Sequence, residues 1–271
     1  MSNVAIITGA ASGFGFELSK KLLAKGYVVY ATDKDGAALG AIAEHGAKTI
    51  VMDVTSDKDV ETAVARVIQE SGQVDLLVAN AGFGNFASVE ETTPERVRAL
   101  FEVNVFGVER CIRAVLPQMR KQGSGRILMT ASVVAHVSLV GLGWYSATKH
   151  SVRAVANALR QEVKALGIKV SVIEPGTVRT NFDQVAFGHL RDSRTISDYD
   201  AVMTGFNKWL GGLYRNSPGP NQVVKTMVKA ATAKNPRPIY PASWDVRLLK
   251  FVFYVFGRRI TDGAVLWLAK H

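Results

Sequence analysis

Two residues four positions apart, Tyr145 and Lys149, could do chemistry together. On a helix, that spacing puts them on one face. A free tyrosine has a pKa near ~10, too high for efficient proton exchange at neutral pH. A neighbouring ammonium stabilises the phenolate and lowers that value. Such a tyrosine can give a proton to a carbonyl oxygen during reduction, or take one from an alcohol during oxidation. A solvent-facing Tyr–Lys pair has the same spacing, so the pair needs its surroundings to be informative.

A second group of residues could hold a phosphate. The apolar run Val4-Ala5-Ile6-Ile7 ends in Thr8-Gly9-Ala10-Ala11-Ser12-Gly13-Phe14-Gly15. Glycines at a strand-to-helix turn let backbone approach a pyrophosphate, and the helix start offers free N–H groups and a positive dipole end. The spacing G-x-x-x-G-x-G is a variant of the usual fingerprint. Asp33 follows Gly9 by 24 residues. A carboxylate there accepts hydrogen bonds from ribose hydroxyls and repels a 2′-phosphate, which favours NAD. Lys34 argues the other way, because it can pair with that phosphate and admit NADP. Asp53-Val54 offers an adenine contact, and a helix-capping aspartate is the competing reading.

The elements that must position these residues alternate. Strands are expected at Val4–Ile7, Tyr27–Thr32, Thr49–Met52, Val74–Ala79, Arg126–Ala131 and Ile168–Ile173. Helices are expected from about Phe14 to Lys25, over the Val60, Val64, Val67, Ile68 stripe, from Pro94 to Met119 with Thr92 or Thr93 as cap, and from Tyr145 to Leu166. This alternation implies parallel strands with right-handed crossovers: an α/β fold, one doubly wound domain over 1–271 with helices on both faces. Residues 181–222, broken by glycines and Pro218-Gly219-Pro220, read as a long irregular substrate loop. An apolar and basic extension follows at 243–271.

Bulk properties narrow the function classes. The chain has 271 residues, 48% hydrophobic and 21% charged, which supports a sizeable core. The lone Cys111 forms no internal disulfide, reads as a packed residue of the long helix, and cannot build a cysteine-rich metal site. The five histidines show no ligand spacing and read as surface or loop residues, with His136 the one placed to line a pocket. The formal charge is +10, and residues 234–271 carry seven Lys/Arg against two Asp. No nucleic-acid motif accompanies it, so a solvated basic surface is expected and nucleic acid is not. Met1-Ser2-Asn3 shows no signal-peptide pattern, which gives a cytoplasmic expectation.

With these motifs in order, the chain closely resembles the short-chain dehydrogenase/reductase family. The matching pieces are Thr8 to Gly15, Asn80-Ala81-Gly82, Asn104, Ser132, Tyr145-Ser146-Ala147-Thr148-Lys149 and Pro175-Gly176, spread over residues 8 to 180. The resemblance implies a Rossmann-type fold, a nicotinamide cofactor, no metal, and a homo-oligomer, dimer or tetramer. It implies that Ser132, which also closes the fifth expected strand, orients the substrate oxygen. A loop-capping serine is the alternative. It further implies that Asn104 holds a water in a proton relay behind Lys149, against the alternative of an amide satisfying a helix kink. Lys149 also binds the nicotinamide ribose, and Asn80-Ala81-Gly82 forms a cofactor-side turn. After Pro175-Gly176, the Val178 backbone and the Thr180 hydroxyl hold the carboxamide. Thr180 reads equally as a helix N-cap.

Apolar residues follow Ser132 (Val133, Val134, Val137, Leu139, Val140, Leu142, Trp144) and populate the later loop (Phe182, Val185, Phe187, Met203, Phe206, Trp209). They point to a hydrophobic secondary alcohol or ketone, steroid-like or lipid-derived. In the extension, Leu248–Phe256 and Val265–Leu268 are each too short to span a bilayer, for which about 20 apolar residues are needed. Burial against the pocket or a subunit is the first expectation, and peripheral membrane contact the second. A dinucleotide sensor without turnover is the competing class, and the intact Tyr–Lys pair argues against it.

Overall fold

The apolar runs become strands buried on both faces. The computed structural model of the chain describes residues 2–179 and 195–270. Its strands are β1 (Val4–Thr8), β2 (Val28–Asp33), β3 (Lys48–Val51), β4 (Leu76–Ala79), β5 (Gly125–Thr130), β6 (Ile168–Glu174) and β7 (Ile239–Pro241). Among the described residues they form one parallel sheet in the order 3-2-1-4-5-6-7. Every residue of β1 and β4 is buried, as helices on both faces require. The strand order reverses between β1 and β4, so a crevice opens beyond their carboxyl ends.

The helices are α1 (Gly13–Leu23), α2 (Gly40–Ala43), α3 (Asp57–Ser71), α4 (Pro94–Phe101), α5 (Gly107–Gln122), α6 (Gly143–Glu162), α7 (Asp200–Asn216), α8 (Asn221–Thr232) and α9 (Trp244–Lys270). One face of the sheet packs on α3, α5 and α6 through residues such as Val64, Val115 and Val152. The other packs on α1 and α8 through Leu18, Leu22 and Met227. Thr93 caps α4 by accepting from Arg96 N, with Pro94 in the first turn. Cys111 is packed in the first of these cores, where burial pushes its thiol up to about 12.

The structure departs from the sequence expectation in several places, adding the helices α2 and α8 among others. The long helix from Pro94 is α4 and α5 joined by a π-helical turn, Glu102–Phe106, centred on Asn104. Such turns are rare and often mark functional sites. The strand β7 was not expected, because three residues ending in a proline show no readable period. Residues 200–216 are helical, not irregular: Met203, Phe206 and Leu210 form a buried stripe at helical spacing that the glycines disguise. The extension is helical with a break at Gly257 (φ 69°, ψ 176°), and much of its apolar surface is exposed. Within this chain it is docked by one side only, against α7, β7 and the turn at 133–135.

Candidate active site

The site assembles where four strand ends meet one helix start. Tyr145 sits in the first turn of α6 and Lys149 one turn on, both buried. Lys149 Nζ lies 5.7 Å from the centroid of the Tyr145 ring. It donates to the carbonyl of Thr130, the last residue of β5, at 2.9 Å. Ser132, just beyond that strand, is also buried and caps the short turn Val133–Ala135 by accepting from Val134 N. The sequence thus brings Tyr145, Lys149 and Ser132 to one place.

Burial sets the electrostatics. It pushes the Tyr145 phenol above its ordinary value; Tyr214 adds to this and a hydrogen bond with Ser132 opposes it. Sequence reasoning expected Lys149 to lower the phenol. In the structure desolvation dominates, because the ammonium is turned toward Thr130. The same burial brings Lys149 down to about 8. A buried, protonated phenol is the form that donates to a carbonyl oxygen.

The Lys149 shift has a direct consequence. Its ordinary value is 10.5 and its folded value about 8, so between these the unfolded chain binds more protons. This group's contribution to stability therefore rises with pH across that window. Urea melts should show Lys149→Met gaining stability over the native chain below the window, with the gain shrinking above it. A gain independent of pH would contradict the assignment.

Asn104 is nearly inaccessible, and its amide is spent on backbone. Its Oδ1 accepts from Phe83 N at 3.0 Å and its Nδ2 donates to Phe83 O at 2.9 Å. A longer bond goes to Thr148 Oγ1 at 3.3 Å. This pairing ties the π-helical turn to the loop after Asn80-Ala81-Gly82.

The phosphate loop is built for close approach. Gly9 has φ 65°, and a Cβ there would lie 2.9 Å from Ala81 Cα. A Cβ on Gly15 would lie 2.2 Å from Gly9 O, so only glycine closes the helix onto the turn. Ser12 sits at the N-cap of α1 with no side-chain cap bond, followed by Gly13 and Phe14. Asn80 holds the loop from beneath: Nδ2 donates to Thr8 O at 3.0 Å, while Asn80 N and Ala81 N both donate to Thr8 Oγ1. Thr130 Oγ1 closes the chain by donating to Asn80 Oδ1 at 3.3 Å. A continuous hydrogen-bond path therefore links Lys149 to the glycine turn. Neither Thr130 nor Phe83 was legible as a site residue from sequence.

Asp33 ends β2 beside this loop. Its Oδ2 accepts from Ala11 N at 3.2 Å, and its Oδ1 accepts from Asp35 N. Lys34 is exposed. Burial works to raise the Asp53 carboxyl, but bonds from Thr55 N and its hydroxyl, with Lys34 and Arg110 nearby, hold it below its ordinary value. Asp53 thus closes a turn, while Ser56 caps α3. Val54 is buried against Gly107. Pro175, Gly176 and Val178 follow β6, and Pro175 O accepts from Val133 N at 2.9 Å, joining two site loops. Thr180, with Phe182, Val185 and Phe187, lies outside the described residues.

Over the site lies a separate apolar cluster. Phe86, Leu100, Val134, Leu142, Met203, Phe206 and Leu210 bury themselves around Tyr145. His136 does not join it. Its Nε2 pairs with Glu174 Oε1 at 2.6 Å and its Nδ1 with Tyr254 OH at 3.1 Å. Glu174 is fully buried, and its second oxygen accepts from Lys250 Nζ of α9 at 2.8 Å. Burial works to raise this carboxyl, but its bonds to His136 and Lys250 hold it below the ordinary value. This latch, which sequence reasoning missed, ties α9 to the loop after β5 and to the end of β6. Among the described residues no cluster could hold a metal ion.

Comparison with known proteins agrees with this fold. The family model for short chain dehydrogenases matches residues 3–189. A 3-ketodihydrosphingosine reductase of Bacteroides thetaiotaomicron is 33% identical over 245 residues, covering 86% of this chain and 85% of the relative. The 17-beta-hydroxysteroid dehydrogenase type 6 of Rattus norvegicus is 33% identical over 261 residues, covering 89% of this chain and 81% of the relative. A solved short chain dehydrogenase/reductase from Burkholderia phymatum, in complex with NAD, superposes with a TM-score of 0.79 at 25% identity, over 95% of this chain and 96% of that one. The chain belongs to the short-chain dehydrogenase/reductase family of oxidoreductases.

Proposed function

We propose that the protein interconverts a hydrophobic secondary alcohol and its ketone, with NAD preferred over NADP. The observation that carries the substrate class is the apolar cluster around Tyr145, supplied from three directions by Phe86, Val134 and Leu142, and Met203 and Phe206. A polar polyol would leave its hydroxyls unpaired against these side chains. Relatives whose names specify a sphingoid ketone and a hydroxysteroid support the same class.

The bound nicotinamide supplies or accepts the hydride, and the protein supplies placement and proton management. Thr8, Gly9, Ser12, Gly13, Phe14 and Gly15 fit a pyrophosphate, and Asp33 the adenosine ribose. Asp53 and Val54 would contact the adenine, and Asn80, Ala81 and Gly82 would form the cofactor-side turn. Pro175, Gly176, Val178 and Thr180 serve the nicotinamide end. Ser132 orients the substrate oxygen and Tyr145 exchanges a proton with it. Lys149 carries the positive charge beside the phenol, and Asn104 fixes the wall behind both. A cytoplasmic homo-oligomer drawing on free cofactor completes this reading.

The cofactor preference rests on Asp33. Asp33→Asn keeps an acceptor for Ala11 N and removes the charge that opposes a 2′-phosphate. A like-charge juxtaposition costs several kcal/mol, so the NAD:NADP ratio of kcat/KM should shift toward NADP by about tenfold or more. An unchanged ratio would show that Lys34 sets the preference instead.

A further inference from the structure

The exposed face of α9 is more apolar than a solvated helix surface should be. Trp244, Leu248, Phe251 and Val255 follow one another at steps of four, three and four residues, so they form a single stripe. Trp244 is 72% exposed and Phe251 61%. The opposite side of the helix is the docked one: Val246 is buried, and Lys250 reaches inward to Glu174. Tyr254 flanks the stripe, exposed along most of its ring yet held by His136. Beyond the break at Gly257, Ile260, Leu266 and Trp267 are exposed as well. Apart from Lys250, which is spent on Glu174, residues 244–270 carry four Lys/Arg (Arg247, Arg258, Arg259 and Lys270) against Asp245 and Asp262. Arg247, beside the stripe, is exposed.

Among the described residues no helix is long and apolar enough to cross a membrane. We infer that α9 lies flat on an anionic lipid surface, its aromatic and aliphatic stripe entering the interface while its excess of positive charge pairs with the headgroups. A stripe of Trp, Phe and Leu flanked by basic residues is the composition that binds there, and the charge excess favours an anionic bilayer over a second copy of an equally basic chain. Because α9 also packs on α7, which carries Met203 and Phe206 over Tyr145, docking would bring the apolar side of the site toward the lipid. The inference stands on the tail alone and needs no particular substrate.

The test is co-sedimentation of the full chain with vesicles of phosphatidylcholine alone and of an equal mixture with phosphatidylglycerol. Binding is expected to the mixed vesicles, weakened by salt and lost by about tenfold or more in Leu248→Asp/Phe251→Asp. The melting temperature and cofactor affinity of that variant should stay native. Arg247→Glu, a single exposed change, gives a second measure should the double variant fold poorly, and is expected to weaken binding to the anionic vesicles selectively. Equal binding to both vesicle types, or binding to neither, would overturn the inference. So would a native dimer that the Asp variants split into monomers without any vesicle binding, since the stripe would then be an interface between copies.

Discussion

Tyr145→Phe is expected to lower kcat by about 10²–10⁴ while leaving cofactor affinity and melting temperature native. Positioned proton transfer contributes on that order, and the change removes the proton-bearing hydroxyl while keeping the ring. The ring stays in the apolar cluster with Phe86 and Phe206, so Phe fills the same space. The bond from Thr148 Oγ1 runs to the Tyr145 carbonyl, not its side chain, and survives the change. Stopped-flow turnover beside cofactor titration checks it. An unchanged kcat would remove Tyr145 from the chemistry, and a loss of both kcat and cofactor affinity would make it a structural residue.

Glu174→Ala should be the most damaging change away from Tyr145. It leaves His136 and Lys250 facing a buried gap without their shared carboxylate. Breaking a buried ion pair by removing one partner costs about 3–5 kcal/mol, which for a chain of this size lowers Tm by roughly 10 °C. Loss of the latch also frees α9 from the loop after β5 and from the end of β6, so the adjoining Ser132 and Pro175 lose support. Lys250→Met, which leaves His136 in place, should cost less. Thermal melts of the two variants decide this. If Glu174→Ala melts like the native chain, the latch carries no stability.

The strands were legible because doubly covered strands must be apolar throughout, and Val4 to Ile7 or Leu76 to Ala79 can be little else. The glycine turn and the Tyr145–Lys149 pair were legible because their spacing is local, and Ser132 only through the family resemblance. What the sequence hid is non-local or masked by composition. Lys250 meets Glu174 across 76 residues of chain, so no spacing announces the pair. The helix at 200–216 is obscured by Gly205, Gly211 and Gly212, although Met203, Phe206 and Leu210 carry its period. The direction of the Tyr145 shift was also misread, because a sequence shows the ammonium nearby but not the desolvation around the phenol, nor the Thr130 carbonyl that draws the ammonium aside.

The most direct test follows nicotinamide absorbance with the purified full chain, supplying NADH and NADPH separately against long-chain ketones, steroid ketones and small polyol-derived ketones. The account predicts turnover on the apolar ketones, reached at lower NADH than NADPH, and absent in Tyr145→Phe. Tight cofactor binding without turnover on any carbonyl, or turnover confined to the polar ones, would contradict it.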